Sequence, residues 1–176
     1  MKNKKNLIVY YSRTGNTAAV ANIIHQQVGG DIVQLETTVV RPSDYETEVA
    51  QNQSEQNQAI LPALKTKIDN FSTYDVMFIG TPTWNMALPQ AVVTFLNDYN
   101  LSGKTVIPFN TNGGYGSGNT FTQIQSKAKG AKVLKGFSVQ GGKEKDGVLL
   151  SIKDQREVVV SKEIDNWLVD IGQIKK

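Results

Sequence analysis

Short apolar runs of strand length alternate along this chain with segments of helical period, and no other feature restricts its fold so strongly. Leu7-Ile8-Val9-Tyr10-Tyr11 is apolar at every position rather than at every second one. Strands of that kind are buried on both faces, which is the condition of a parallel sheet whose helical crossovers cover it from two sides. The alternation predicts strands over Asn6–Tyr11, Ile32–Glu36, Val76–Gly80, Thr105–Asn110 and Val133–Val139. The first helical run, Ala18 to Val28, places Val20, Ile23, Ile24 and Val28 on one face and stops at Gly29-Gly30. Pro89 suits the first turn of a helix carrying Val92, Phe95 and Leu96, Phe121, Ile124 and Ala128 mark another, and Val160, Ile164, Trp167, Leu168 and Ile171 form a wide apolar stripe on the last. Trp167 on that stripe reads as core. With 176 residues and neither a repeat nor a boundary signal, the expectation is one α/β domain over residues 1–176, doubly wound with helices on both faces.

Residues Thr37 to Asn70 are the least regular. Arg41-Pro42-Ser43-Asp44-Tyr45 reads as a turn into a helix capped by Ser43 or Asp44. The run from Gln51 to Gln58 is polar enough for a linker, but Pro62-Ala63-Leu64 and Ile68 resume an apolar pattern, so a solvated helix is expected.

The chain has no cysteine, which excludes disulfides, thiolate chemistry and Cys-ligated metal centres. Its one histidine, His25, falls on the first helix, and His-paired nucleophilic catalysis has no support. No clustered carboxylate motif points to a metal, and no catalytic side chain stands out, so the chemistry is expected to come from a bound cofactor. The net charge of +3 is spread over scattered Lys and Arg residues, without the aromatic-studded basic stripe of a specific nucleic-acid binder. No run reaches membrane-spanning length, and the apolar run after Lys4 and Lys5 is too short for a signal peptide and lacks a cleavage site; a cytoplasmic protein is expected.

Three loops carry the functional signal. Ser12-Arg13-Thr14-Gly15-Asn16-Thr17 joins the first strand to the first helix. The first N–H groups of that helix have no partner within it, and with the positive end of the helix dipole they attract an anion. Three hydroxyls and an amide add neutral donors, while Gly15 permits close approach of the backbone. The loop has neither a Walker lysine nor G-x-G-x-x-G spacing, so a single terminal phosphate fits better than a nucleoside triphosphate or a dinucleotide. Taken alone, the hexamer reads equally as a helix cap. Thr81-Pro82-Thr83-Trp84-Asn85-Met86-Ala87-Leu88-Pro89 follows the third strand and offers an aromatic face in a loop stiffened by proline. Trp84 stacks on a ligand ring or folds back on the domain. Asn110-Thr111-Asn112-Gly113-Gly114-Tyr115-Gly116-Ser117-Gly118 follows the fourth strand, and its glycines let backbone groups lie against a polar ring edge. Tyr115 forms a second wall or packs on the following helix.

The pattern Ile8-Val9-Tyr10-x-Ser12-x-x-Gly15-x-Thr17-x-x-x-Ala21-x-x-Ile24, with the Trp84 and glycine-rich loops and Pro42-Ser43-Asp44-Tyr45, resembles the flavodoxins, in particular a branch with Y-S-R-T-G-N-T in its first loop. The resemblance covers most of the chain. It implies a flavodoxin-like doubly wound sheet of five parallel strands in the order 2-1-3-4-5, with FMN as cofactor. It also implies phosphate contacts from Ser12, Arg13, Thr14, Gly15, Asn16 and Thr17, and ring contacts from Pro82, Thr83, Trp84, Asn85, Thr111, Asn112, Gly113 and Gly114, with Tyr115 beside them. Arg13 equally suits a solvent-facing position, because neutral donors can hold the phosphate without it.

Electron-carrying members of the family are typically acidic around the flavin, whereas Thr81–Pro89 and Asn110–Thr120 contain no Asp or Glu and Arg13 adds a positive charge. Repulsion of fully reduced flavin is therefore expected to be weak. The implied function is an FMN-binding electron-transfer protein working with a redox partner protein or small-molecule acceptor. The alternative is an FMN-dependent NAD(P)H:quinone-type oxidoreductase, and a cofactor-free interaction domain of the same fold is a third reading.

Overall fold

Strands and helices follow one another in the computed structural model, which describes residues 3–176. The elements are β1 (Asn6–Tyr10), α1 (Asn16–Val28), β2 (Asp31–Gln34), α2 (Tyr45–Gln58), β3 (Val76–Pro82), α3 (Gln90–Asp98), β4 (Thr105–Asn112), α4 (Thr120–Lys127), β5 (Lys132–Val133), β6 (Phe137–Gln140) and α5 (Asp154–Asp170). The sheet is parallel throughout, in the order β2-β1-β3-β4-β5, with β6 also paired to β4. Central strands are buried from both sides: Ile8 lies between Ile32 and Phe78, and Phe78 is opposite Ile107. The edges are short, and β6 alternates buried and exposed residues as a half-covered strand should.

Successive strand residues point to opposite faces and build two separate cores. Leu7, Val9, Met77 and Ile79 pack with Val92, Phe95 and Leu96 of α3 and Ile124 of α4. Ile8, Phe78, Ile107 and Phe109 pack with Val20 and Ile24 of α1 and Val160, Ile164 and Leu168 of α5. Trp167 belongs to this second core, and its indole N–H donates to the Lys135 carbonyl at 2.9 Å. Gly80 sits opposite Phe109 in the register, and a Cβ there would run into the Phe109 ring.

The fifth strand position departs from the expected continuous Val133–Val139. Two short strands, β5 and β6, occupy it in succession. Lys132 and Leu134 donate to the carbonyls of Lys104 and Val106, so alternate β4 residues present their backbone groups to this neighbour. Pro108 is next in that alternation and has no N–H to offer, and the ladder breaks beside it.

The polar helix α2 begins at Tyr45, with the Asp44 carboxylate accepting from Thr47 N–H at 2.9 Å as its cap. It is not the solvated helix expected. Glu48, Asn52 and Glu55 recur on one face, all three buried. A helix with almost no apolar stripe is held here by ion pairs and hydrogen bonds instead. Arg41 donates to Glu48 Oε1 at 2.5 Å and to Glu55 Oε1 at 2.7 Å.

Candidate functional site

β1 leads into α1 on one face of the sheet, while β3 leads into α3 on the other, so a crevice opens between their carboxyl ends. A cavity of about 380 Å³ occupies it. Ser12, Arg13, Thr14, Asn16, Thr17, Pro82, Thr83, Trp84, Asn85, Thr111, Asn112, Gly113 and Tyr115 line it, which gathers the three loops expected to converge. Gly15 and Gly114 stand outside the lining. Both have positive φ, +103° and +109°, which a side chain would strain.

The first loop is organised around Ser12 and Asn16. Ser12 Oγ accepts from the N–H of Gly15 at 3.2 Å and of Ala18 at 3.3 Å. Asn16, 5% exposed, donates from Nδ2 to Thr14 Oγ1 and to the Leu149 carbonyl, and its Oδ1 accepts from the N–H of Ser151 and Ile152. Its amide is thus spent on tying the loop to residues 149–152. Gly141 completes that junction, because a Cβ there would meet Asn16 Cβ at 2.8 Å. Thr17 Oγ1 lies 2.7 Å from Thr111 Oγ1 and links the first loop to the fourth-strand loop. No acceptor among the described residues takes the backbone N–H of Thr14, Asn16 or Thr17. Those donors stand at the positive end of the α1 dipole.

In the third-strand loop, Trp84 and Ala87 exchange backbone hydrogen bonds across Asn85 and Met86, whose φ values are 51° and 60°. Both central residues at positive φ make this a type I′ turn, natural for Asn85 and strained for Met86 by roughly 1–2 kcal/mol. Gln56 of α2 holds the turn by donating to the carbonyls of Trp84 and Leu88 at 2.9 and 3.0 Å, and Asn119 N–H donates to the Met86 carbonyl. Trp84 folds back on the domain without leaving the cavity wall. One side packs edge-on against Tyr11 at 5.5 Å and lies 5.7 Å from the Arg41 guanidinium, while the residue still lines the cavity. Burial pushes the Tyr11 phenol up to about 12, so this backing stays uncharged.

Asn112 organises the glycine-rich loop, its Oδ1 accepting from Gly114 N–H at 2.9 Å and Gly116 N–H at 3.2 Å. Tyr115 is 74% exposed at the rim, with Lys143 Nζ 5.6 Å from its ring; it does not pack into the core beneath α4.

Two parts of the wall were invisible in the three loops. Tyr45, Glu48, Val49 and Asn52 come from α2, and Gly141 to Lys145 come from the turn after β6. Their arrival corrects the expectation of surroundings free of acids, since Glu48 and Glu144 both line the cavity. Arg13 is committed to them: it donates to Glu144 Oε1 at 2.9 Å, to the Pro42 and Ser43 carbonyls at 2.8 and 3.0 Å, and lies 3.8 Å from Glu48 Oε2. Its guanidinium therefore straps the first loop to the turn after β6 and to α2. The spacing of Glu48, Asn52 and Glu55 on a helix was the available sequence signal, but polar residues at that spacing are more often a solvated face. Among the described residues no helix is long and apolar enough to cross a membrane.

A family model described as flavodoxin matches residues 5–154. A flavodoxin of a Nostoc species is 27% identical over 122 residues, 67% of this chain and 57% of that protein. The chain thus spans little more than half the length of the curated relatives it matches. A candidate flavoprotein of Bacteroides eggerthii is similar over 96% of this chain and 98% of its own, with 31% identity and a TM-score of 0.77. A flavoprotein of Lactobacillus acidophilus, solved in complex with FMN, shares the fold over 78% of this chain and 93% of its own, with 21% identity and a TM-score of 0.68.

Proposed function

The chain belongs to the flavodoxin family, and from that premise we propose that it is an FMN-binding electron-transfer protein, folded as one cofactor-binding domain and working in the cytoplasm with a separate redox partner. The observation that carries this reading is the set of unpartnered N–H groups of Thr14, Asn16 and Thr17 at the start of α1, inside a cavity whose opposite wall is the Trp84 turn. An anion cradle and a flat aromatic wall in one crevice fit the two ends of FMN.

In this reading the phosphate rests on those N–H groups and on the hydroxyls of Ser12 and Thr14. Asn16 contributes its backbone, because its side chain is already engaged. Arg13 acts as a strap, since four contacts direct its guanidinium elsewhere. The ring would lie between the Pro82–Asn85 turn and the Thr111–Gly114 backbone, with Tyr115 at the rim excluding water. Bound FMN supplies the electron chemistry. The chain positions it, and no side chain is required as an acid or base. The expected alternative, an NAD(P)H:quinone-type oxidoreductase, is not favoured by a family match to flavodoxin.

Titrating the apoprotein with FMN and with riboflavin tests this. FMN should bind at least roughly 100-fold more tightly, the worth of one or two charge-assisted hydrogen bonds. Equal affinities would remove the phosphate cradle, and absence of FMN binding would remove the function.

A further inference from the structure

Beside the Trp84 turn, the cavity wall contains buried polar atoms that the protein leaves unpaired. Glu48 and Asn52 lie one turn apart on α2, are 3% and 4% exposed, and both belong to the cavity lining. Glu48 Oε2 and Asn52 Oδ1 are buried without a hydrogen-bond partner among the described residues. Glu48 is at least compensated: its Oε1 takes two hydrogen bonds from Arg41, and Oε2 lies 3.8 Å from Arg13. Asn52 has no such relief. Folded proteins seldom leave a buried acceptor in that condition unless water or a ligand completes it.

The missing group must be a donor, because both atoms accept. A neutral donor suffices, because Arg13 and Arg41 already face the one charged group of the pair, Glu48, and Asn52 carries no charge to be balanced. Its position is bracketed on α2 by Gln56, which donates to the Trp84 carbonyl, and by Glu48, 3.8 Å from Arg13, so Asn52 lines the cavity between the aromatic turn and the first loop. A flat ring lying against the Trp84 turn would offer such a donor as an N–H in its edge.

We propose that Asn52 is a ligand-recognition residue that accepts a hydrogen bond from the N–H of a planar imide or carboxamide. The proposal rests on the FMN reading. The pyrimidine edge of the flavin carries such an imide, and a nicotinamide brought against the flavin carries the carboxamide.

Asn52→Leu keeps the size of the side chain and deletes its acceptor, and Asn52→Ala serves as a second variant. In the apoprotein Asn52→Leu should raise Tm by a few degrees, because an unpaired buried polar group is removed. A merely structural role would lower it. FMN affinity of the variant should fall about tenfold, the effect of one hydrogen bond. With 3-methyl-FMN, whose imide N–H is replaced by a methyl group, wild type and variant should bind alike. If FMN affinity is instead unchanged but NAD⁺ or NADP⁺ binding to the holoprotein falls tenfold, the N–H belongs to a nicotinamide carboxamide. If every affinity stays within twofold of wild type, or Asn52→Leu destabilises the apoprotein, Asn52 is filled by water or packing and the proposal is overturned while the FMN reading stands. A wild-type protein that takes up no FMN removes both.

Discussion

At the α1 end of the cavity the side chains other than Arg13 are neutral and mostly spoken for, yet backbone N–H groups of Thr14, Asn16 and Thr17 remain open; at the α2 wall the side chains are charged, and nearly every charge is met by another. Arg41 is bound by Glu48 and Glu55, and Arg13 by Glu144. The more highly charged region is thus the one committed to holding the structure together. The loop whose one charge is paired away is the one equipped to attract an anion, because unsatisfied donors at a helix start carry a field that paired ions cancel.

The largest effect expected from this contrast is at Arg41. Arg41→Met strands two buried carboxylates and should cost about 3–5 kcal/mol in urea unfolding of the apoprotein. A loss below about 1 kcal/mol would mean that water already screens the network. Replacing Arg41, Glu48 and Glu55 together by apolar residues should recover most of the loss, because the desolvation penalty disappears with the charges.

Next comes Asn16. Asn16→Ala orphans the Leu149 carbonyl and the N–H groups of Ser151 and Ile152, and about 2–3 kcal/mol of stability should go with them. FMN affinity should fall as well, since the loop loses its tie. Unchanged stability would show that water replaces the amide.

Thr14→Ala with Thr17→Ala should cost about 1 kcal/mol of stability, because the buried Thr111 hydroxyl loses its partner, and should weaken FMN about 10-fold through the lost Thr14 donor. An unchanged dissociation constant would assign the binding to the backbone alone.

The smallest effect concerns the cap of α2. The Thr47 N–H, followed by the Thr47 hydroxyl, holds the Asp44 carboxyl below the usual range. Stability from a depressed carboxyl is complete above its unfolded value, about pH 4, and is lost as pH falls through the lower folded value. Amide protection in the first turn of α2 should drop in that acid window, and Asp44→Asn should abolish the pH dependence while leaving the rest of the helix in place.

Legibility in the sequence followed the range of the interactions. Ser12 to Thr17 could be read because strand, turn and helix start are neighbours in the chain, and the free N–H groups follow from helix geometry. Trp84 was visible as an aromatic in a loop, but its support by Tyr11, Arg41 and Gln56 was not. The sequence leaves Arg13 open between phosphate and solvent, and the structure sends it to Glu144, 131 residues away. The break between β5 and β6 was hidden because Pro108 acts on a strand that follows it by some thirty residues.

Periodicity and local turn chemistry by themselves determined the doubly wound parallel sheet and the loop with open N–H donors, since burial on both faces and the unpaired start of a helix are properties of contiguous residues. Only the tertiary structure decided how charge is used around the crevice. Ion pairs and buried amides depend on where distant side chains come to rest, so α2, polar along nearly its whole length, became a wall of the site instead of a solvated surface helix.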